Sequence, residues 1–286
     1  MPVPLFSSFS STVGALRRAG CVFAEDEARL LHEAAASPDE LSSLVERRAA
    51  GLPLEHVLGW AEFCGRRFAV DTGVFVPRRR TEFLVAQAAA LAPHRAVVVD
   101  LCCGSGALGV ALATASDAAE LHACDVEPAA VRCARRNIGD LGQVHEGDLF
   151  APLPAALRGR VDVLLANVPY VPTDDVELLP AEARIHEPRV ALDGGGDGLD
   201  VMRRVAAEAP GWLAPGGSLL VEASERQRDT AVEVLRAAGL IPRVLVSEEL
   251  YATVVVGTGE AAAVGAAETV LADRAEQAVR TGTASG

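Results

Sequence analysis

The chain has 286 residues, a net charge of −13, and hydrophobic side chains at half its positions. That is enough for one sizeable α/β domain with a smaller appendage. All 26 basic residues are arginine, and the acidic balance excludes a dominant basic footprint for a nucleic-acid backbone.

No charged segment followed by an apolar one opens the chain, so no secretory signal is read there. No apolar run approaches the roughly 20 residues that cross a bilayer. Six cysteines occur without a CxxC pair or a His at ligand spacing. These features point to a soluble, cytoplasmic protein with reduced thiols, no metal site and no membrane partner.

In chain order, residues 10–19 and 25–36 carry apolar side chains at spacings of three and four, which predicts two helices. Ser37-Pro38-Asp39-Glu40 reads as a helix start, with Ser37 as N-cap and Pro38 at the first helical position, and a helix over 39–50 follows. Alternation on both sides of Cys64-Gly65 predicts a β-hairpin, then a short strand over 73–76 ended by Pro77. Arg78-Arg79-Arg80 reads either as a small positive patch or as a solvated face, and 81–91 as a helix. From residue 95 strands and helices alternate: strands over 96–101, 121–124, 143–146, 161–166 and 217–222, helices over 107–115, 128–138, 199–208 and 226–238. Two closing strands, 241–247 and 251–257, read as antiparallel neighbours. Repeated βα units imply an open, doubly wound, Rossmann-like sheet.

The first strand of that region runs into Asp100-Leu101-Cys102-Cys103-Gly104-Ser105-Gly106, with Gly109 three residues on. Glycines at 104 and 106 allow a tight turn and close approach of a ligand to a helix N-terminus. A Gly-x-Gly turn alone suits a dinucleotide as well as S-adenosylmethionine. Asp100 sits where S-adenosylmethionine enzymes of this fold commonly carry an acid. Asp125 ends the next strand, 19 residues after Gly106, where a carboxylate can accept both ribose hydroxyls; Val126 follows it. Asp148 and Leu149 follow the third strand and are candidates for the adenine amino group and ring.

Asn167-Val168-Pro169-Tyr170 follows the fourth strand. A planar NH2 group is a poor nucleophile because its lone pair is delocalised. Two acceptors on its N–H bonds orient the nitrogen and stabilise charge as a C–N bond forms. The Asn167 side chain and the Val168 carbonyl can be those acceptors. Pro169 biases Val168 to an extended backbone, and Tyr170 offers a flat face.

These residues resemble the HemK/PrmC-type protein-(glutamine-N5) methyltransferases over most of the chain. Residues 51–65 look like that family's linker and hairpin, Phe75-Val76-Pro77-Arg78-Arg79-Arg80-Thr81-Glu82 resembles its I-P-R-P-x-T-E segment, and residues 191–200 match a segment after its substrate loop. The family loop is usually Asn-Pro-Pro-Tyr, where this chain has Val168; its glycine loop usually has Gly-Thr at Cys102-Cys103, and Arg79 replaces a usual proline. The resemblance implies a seven-stranded methyltransferase sheet with a small N-terminal helical domain and a linking hairpin. It implies S-adenosylmethionine as cofactor, cradled by Asp100, Cys102, Cys103, Gly104, Gly106, Asp125, Val126, Asp148, Leu149 and Asn167. The expected substrate is a glutamine side chain in a protein, a translation release factor by family analogy. The corresponding division is 1–52 for a substrate-engaging helical domain, 53–77 for the linker, 78–258 for the catalytic domain and 259–286 for a flexible tail whose middle could be helical. Competing expectations are an adenine amino-methyltransferase on DNA or RNA, which needs a base flipped out of a duplex, a nicotinamide-dependent oxidoreductase, and a non-catalytic binding protein with the same fold.

Overall fold

A computed structural model describes residues 8–260. Three helices open it: α1 (Phe9–Arg18), α2 (Ala24–Ala34) and α3 (Pro38–Ala49). Their apolar faces meet around Leu16, Leu31 and Val45, all fully buried. The start of α3 follows the sequence signal: Ser37 Oγ accepts the Glu40 N–H at 3.2 Å, and the Glu40 carboxylate reaches back to the Ala36 N–H at 2.7 Å. A short helix α4 (Leu54–Leu58), not anticipated from the sequence, ends at Gly59 in the left-handed region.

The hairpin β1 (Trp60–Phe63) and β2 (Arg66–Ala69) turns at Cys64 and Gly65, with φ of 49° and 68°. Positive φ at both central residues matches the twist of the flanking strands. The strand expected over 73–76 does not form. Val74 and Val76 are instead buried against Ala61, Val70, Ala130 and Cys133, and the Val76 N–H donates to the Glu187 carboxylate at 3.2 Å. The apolar alternation there records burial, and the backbone donor is satisfied by a side chain.

Then come α5 (Glu82–Leu91), β3 (Val97–Leu101), α6 (Ala107–Ser116), β4 (Glu120–Asp125), α7 (Pro128–Ile138), β5 (Gln143–Glu146), β6 (Val161–Ala166), a second short helix α8 (Ala181–His186), α9 (Asp200–Glu208), β7 (Leu213–Ala223), α10 (Arg228–Ala237), β8 (Ile241–Ser247) and β9 (Ala252–Thr258). The seven-stranded sheet has the order β5-β4-β3-β6-β7-β9-β8, with β9 antiparallel to both neighbours and the rest parallel. Strand β7 begins earlier than the sequence suggested. The segment 214–217, expected as a turn before it, is taken into the strand as a register shift opposite Val161–Val163.

Strand β3 is buried on both faces: Val99 and Leu101 join one core with Leu164, Met202 and Trp212, while Val98 joins another with Leu84, Leu112 and Leu165. Two helical layers therefore sandwich the sheet. The chain leaves β3 toward β4 and β5 on one side and returns through β6 on the other. The crevice beyond the carboxyl ends of β3 and β6 is the switch point at which doubly wound sheets bind ligands. The helix considered for the middle of the C-terminal tail, and most of that tail, lie outside the described residues. No helix among the described residues is long and apolar enough to cross a membrane.

Candidate active site

A cavity of about 980 Å³, its open mouth included, lies at this switch point. Asp100, Cys102, Cys103, Gly104, Asp125, Val126, Asp148, Leu149, Asn167 and Pro169 line it, together with Phe75, Pro77, Pro188, Val190 and Arg204. The ends of four strands, β3, β4, β5 and β6, thus deliver their candidate residues to one place. Gly106 does not line it; at φ +77° it turns the chain into α6, packed against Ile138 and Ala134. Gly109 lets α6 approach β3, since a Cβ there would stand 3.0 Å from the Asp100 carboxylate.

The glycine loop is held by the acids it was expected to accompany. One Asp125 oxygen accepts the Gly104 N–H at 2.8 Å and the other the Glu127 N–H at 2.9 Å. A carboxylate has about four acceptor positions, so capacity remains for vicinal hydroxyls. Asp100 accepts the Gly109 N–H at 2.9 Å with one oxygen, while its other oxygen is buried without a partner. Burial pushes its carboxyl up to about 7, against the pull of that N–H. Desolvation also raises Asp125, lifts the Cys102 thiol far above its usual value and takes Cys124 to about 12. These thiols are therefore protonated, unreactive walls. Asp148 pairs with Arg204 at the rim. Arg204 is the one cation among the described lining residues, against Asp100, Asp125, Glu127 and Asp148. The cavity is thus a negative site, matched to a cationic ligand that carries hydroxyls. Cys102 (φ 53°) and Leu149 (φ 48°) both line it in the left-handed region, a conformation that costs side-chain-bearing residues about 1–2 kcal/mol.

Asn167 lines the same cavity, and its Oδ1 is buried without a hydrogen-bond partner among the described residues. Such an acceptor is costly to leave empty and ready to take a donor. Val168 is buried in the core beneath. Pro169 lines the same cavity as Asn167, whereas Tyr170 lines a second cavity beside it. The Tyr170 hydroxyl donates to Glu222 at 3.0 Å and receives Arg80, while Glu222, 3% exposed, also accepts Arg80 Nε at 2.9 Å and Thr81 Oγ1 at 2.6 Å. Of the arginine triplet, Arg80 is thereby a pin for the loop, and Arg78 forks onto buried Glu187 at 2.5 and 2.6 Å.

The glycine-rich segment after the loop has a packing reason. A Cβ at Gly194 would strike the Pro169 carbonyl, and one at Gly198 the Tyr170 carbonyl. Gln227 Nε2 then caps the Tyr170 carbonyl at 2.7 Å and that of Asp197 at 2.9 Å. Sequence reasoning missed Glu222, Gln227, Arg204 and the wall residues Pro188 and Val190. The only signal for the wall was a charged, proline-punctuated stretch without periodicity. Arg48 fixes that stretch from the helical side, donating to Glu27 and to Glu182 at 2.6 Å each. Among the described residues no group of three or more His, Cys, Asp or Glu is placed to hold a metal ion.

Residues 66–204 match the family model described as methyltransferase small domain. The release factor glutamine methyltransferase of Geobacter sulfurreducens is 42% identical over 209 residues, 71% of this chain and 72% of that protein. The proteins of the same name from Moorella thermoacetica and Mycolicibacterium smegmatis are each 40% identical, covering 74% and 75% of this chain and 76% and 78% of their own. A methyltransferase from Pyrococcus furiosus shares the fold, with a TM-score of 0.54 at 14% identity over 77% of this chain and 99% of that one. At this identity and coverage the chain belongs to the release factor glutamine methyltransferase family, and it is an S-adenosylmethionine-dependent methyltransferase.

Proposed function

We propose that this enzyme methylates the side-chain amide nitrogen of a glutamine in a translation release factor, in the cytoplasm. The observation that carries the reading is the buried, unpartnered Oδ1 of Asn167, a residue that lines the cavity at the switch point. S-adenosylmethionine, when bound, supplies an electrophilic methyl group on a positively charged sulfur. Asp125 would hold its ribose hydroxyls, Asp148 and Leu149 its adenine, and the Asp100–Gly104 turn its amino-acid end. The negative lining suits a cationic donor.

Asn167 Oδ1 takes one N–H of the substrate amide, and the Val168 carbonyl takes the other. The two acceptors hold the nitrogen in place and stabilise the positive charge that grows as the C–N bond forms. The amide then gives one proton to solvent, so no strong base is required. Phe75 and Pro77 wall the approach, and Tyr170, fixed by Glu222 and Arg80, flanks it. The helical segment 1–52 would engage the body of the protein substrate, and 78–258 carries the reaction. Incubation with labelled S-adenosylmethionine and a purified bacterial release factor, followed by peptide mass spectrometry, should place one methyl group on a glutamine. Label on another residue type, or none on the release factor, would refute this.

A further inference from the structure

The second cavity encloses about 1120 Å³ with its open side, between the end of β7 and the turn joining β8 to β9. Its floor is Tyr170, Arg80 and Glu222, and its walls include Ser224, Arg228, Ser247 and Tyr251. Pro169 lines the cofactor cavity and Tyr170, the next residue, lines this one. The methyl-acceptor loop is therefore a partition between two cavities. We infer that this second cavity is a peptide groove, holding the extended backbone next to the target glutamine while the glutamine side chain crosses to Asn167.

The inference rests on the glutamine reading and adds where the rest of the substrate lies. A side chain inserted at Asn167 leaves its own main chain outside, at about 3.3–3.6 Å per residue of extended chain. The groove beside Tyr170, three residues along the same loop from Asn167, offers that main chain a surface to run on. The lining suits peptide groups: the hydroxyls of Ser224 and Ser247 can donate and accept, arginines can donate, and Glu225 and Glu248 can accept. Its charges are Arg80 and Arg228 against Glu222, Glu225 and Glu248, one more acid than base. A phosphodiester backbone needs the opposite sign, so the groove favours a peptide over a nucleic acid. At the rim Tyr251 is 91% exposed, with φ +50° in the β8–β9 turn. A large aromatic held in a strained conformation with its ring in solvent is placed to cover a bound chain. Val246, 57% exposed, adds apolar area beside it.

Tyr251→Ala and Arg228→Ala test the groove on the full chain. Both side chains lie outside the cofactor cavity, and Arg228 is bound only to exposed Asp229. With a purified release factor as substrate, KM for the protein should rise about tenfold in Tyr251→Ala, and in the same direction in Arg228→Ala. Turnover at saturating substrate and affinity for S-adenosylmethionine should stay as in the unaltered enzyme. Glutamine methylation with KM unchanged in both variants would overturn the groove alone. Failure of the unaltered enzyme to methylate glutamine would overturn the underlying reading and the groove with it. Salt-sensitive binding of a single-stranded DNA oligomer that these substitutions weaken would overturn the groove in favour of nucleic acid.

Discussion

Replacing Asn167 with Ala separates a catalytic acceptor from a turn residue. The Oδ1 of Asn167 is buried without a partner, a state that costs about 1–3 kcal/mol when an acceptor is desolvated and left empty. Ala removes that cost and leaves a small void, whose penalty is of similar size and opposite sign. Net stability should therefore change by no more than about 1 kcal/mol, or about 2–4 °C in Tm for a domain of this size. Loss of one preorganised polar contact to a developing charge lowers turnover about 100- to 1000-fold, or about 2.7–4 kcal/mol. The assay is single-turnover methyl transfer at saturating release factor and S-adenosylmethionine, with calorimetry for the cofactor and a thermal melt for stability. Turnover should collapse while cofactor affinity and Tm hold. A loss of activity below about tenfold, or a fall in Tm large enough to account for it, would show that Asn167 shapes the loop and does not act on the substrate.

Three further outcomes follow from the geometry. The left-handed backbone at Cys102 favours glycine, so Cys102→Gly should stabilise the protein by about 0.5–1 kcal/mol after glycine's own entropy cost; a lower midpoint in urea would contradict this. Arg48→Met strands the Glu27 carboxylate inside the helical bundle and should cost about 3–5 kcal/mol, lowering Tm by about 10 °C, with much of the loss recovered when Glu27→Leu is added; equal melting of single and double variants would refute the pairing argument. Asp100 stands at about 7 in the free cavity, and its ionised form attracts a cation. Affinity for S-adenosylmethionine should therefore rise as pH passes upward through 7, with proton uptake by buffer on binding, and fall below it. Asp100→Asn should flatten that profile, and an unchanged slope would assign the dependence elsewhere.

The repeating βα pattern made the sheet legible, because strands such as β3, buried on both faces, carry unbroken runs of valine. The cavity at the switch point was legible for a related reason: Asp100, Asp125, Asp148 and Asn167, which line it, sit at or just past strand ends, where position along the chain fixes position in space. The glycine loop alone left a dinucleotide open, and the family match decided for S-adenosylmethionine. What escaped the sequence is held by long-range side-chain chemistry. The stretch 173–191 has no periodicity because it is built from single turns and one six-residue helix, tied by Glu182 and Glu187 to arginines 134 and 109 residues away. No local pattern announces such partners. The alternating valines at 74 and 76 imitated a strand because burial on a side has the same period as a strand's faces. Tyr170 was legible as part of the loop, but the partner of its hydroxyl, Glu222, is 52 residues further along.

The ion pairs Arg48–Glu182 and Arg78–Glu187 make the cavity at the switch point a vault whose keystones lie outside it. Pro188 and Val190 form part of its wall, yet nothing in the sheet below supplies the charges that anchor their segment. Removing residues 1–50 would leave every lining residue of that cavity in the chain and still remove Arg48, one of the two anchors. Part of the wall of this cavity is in this way tied to a helical bundle that lines none of it.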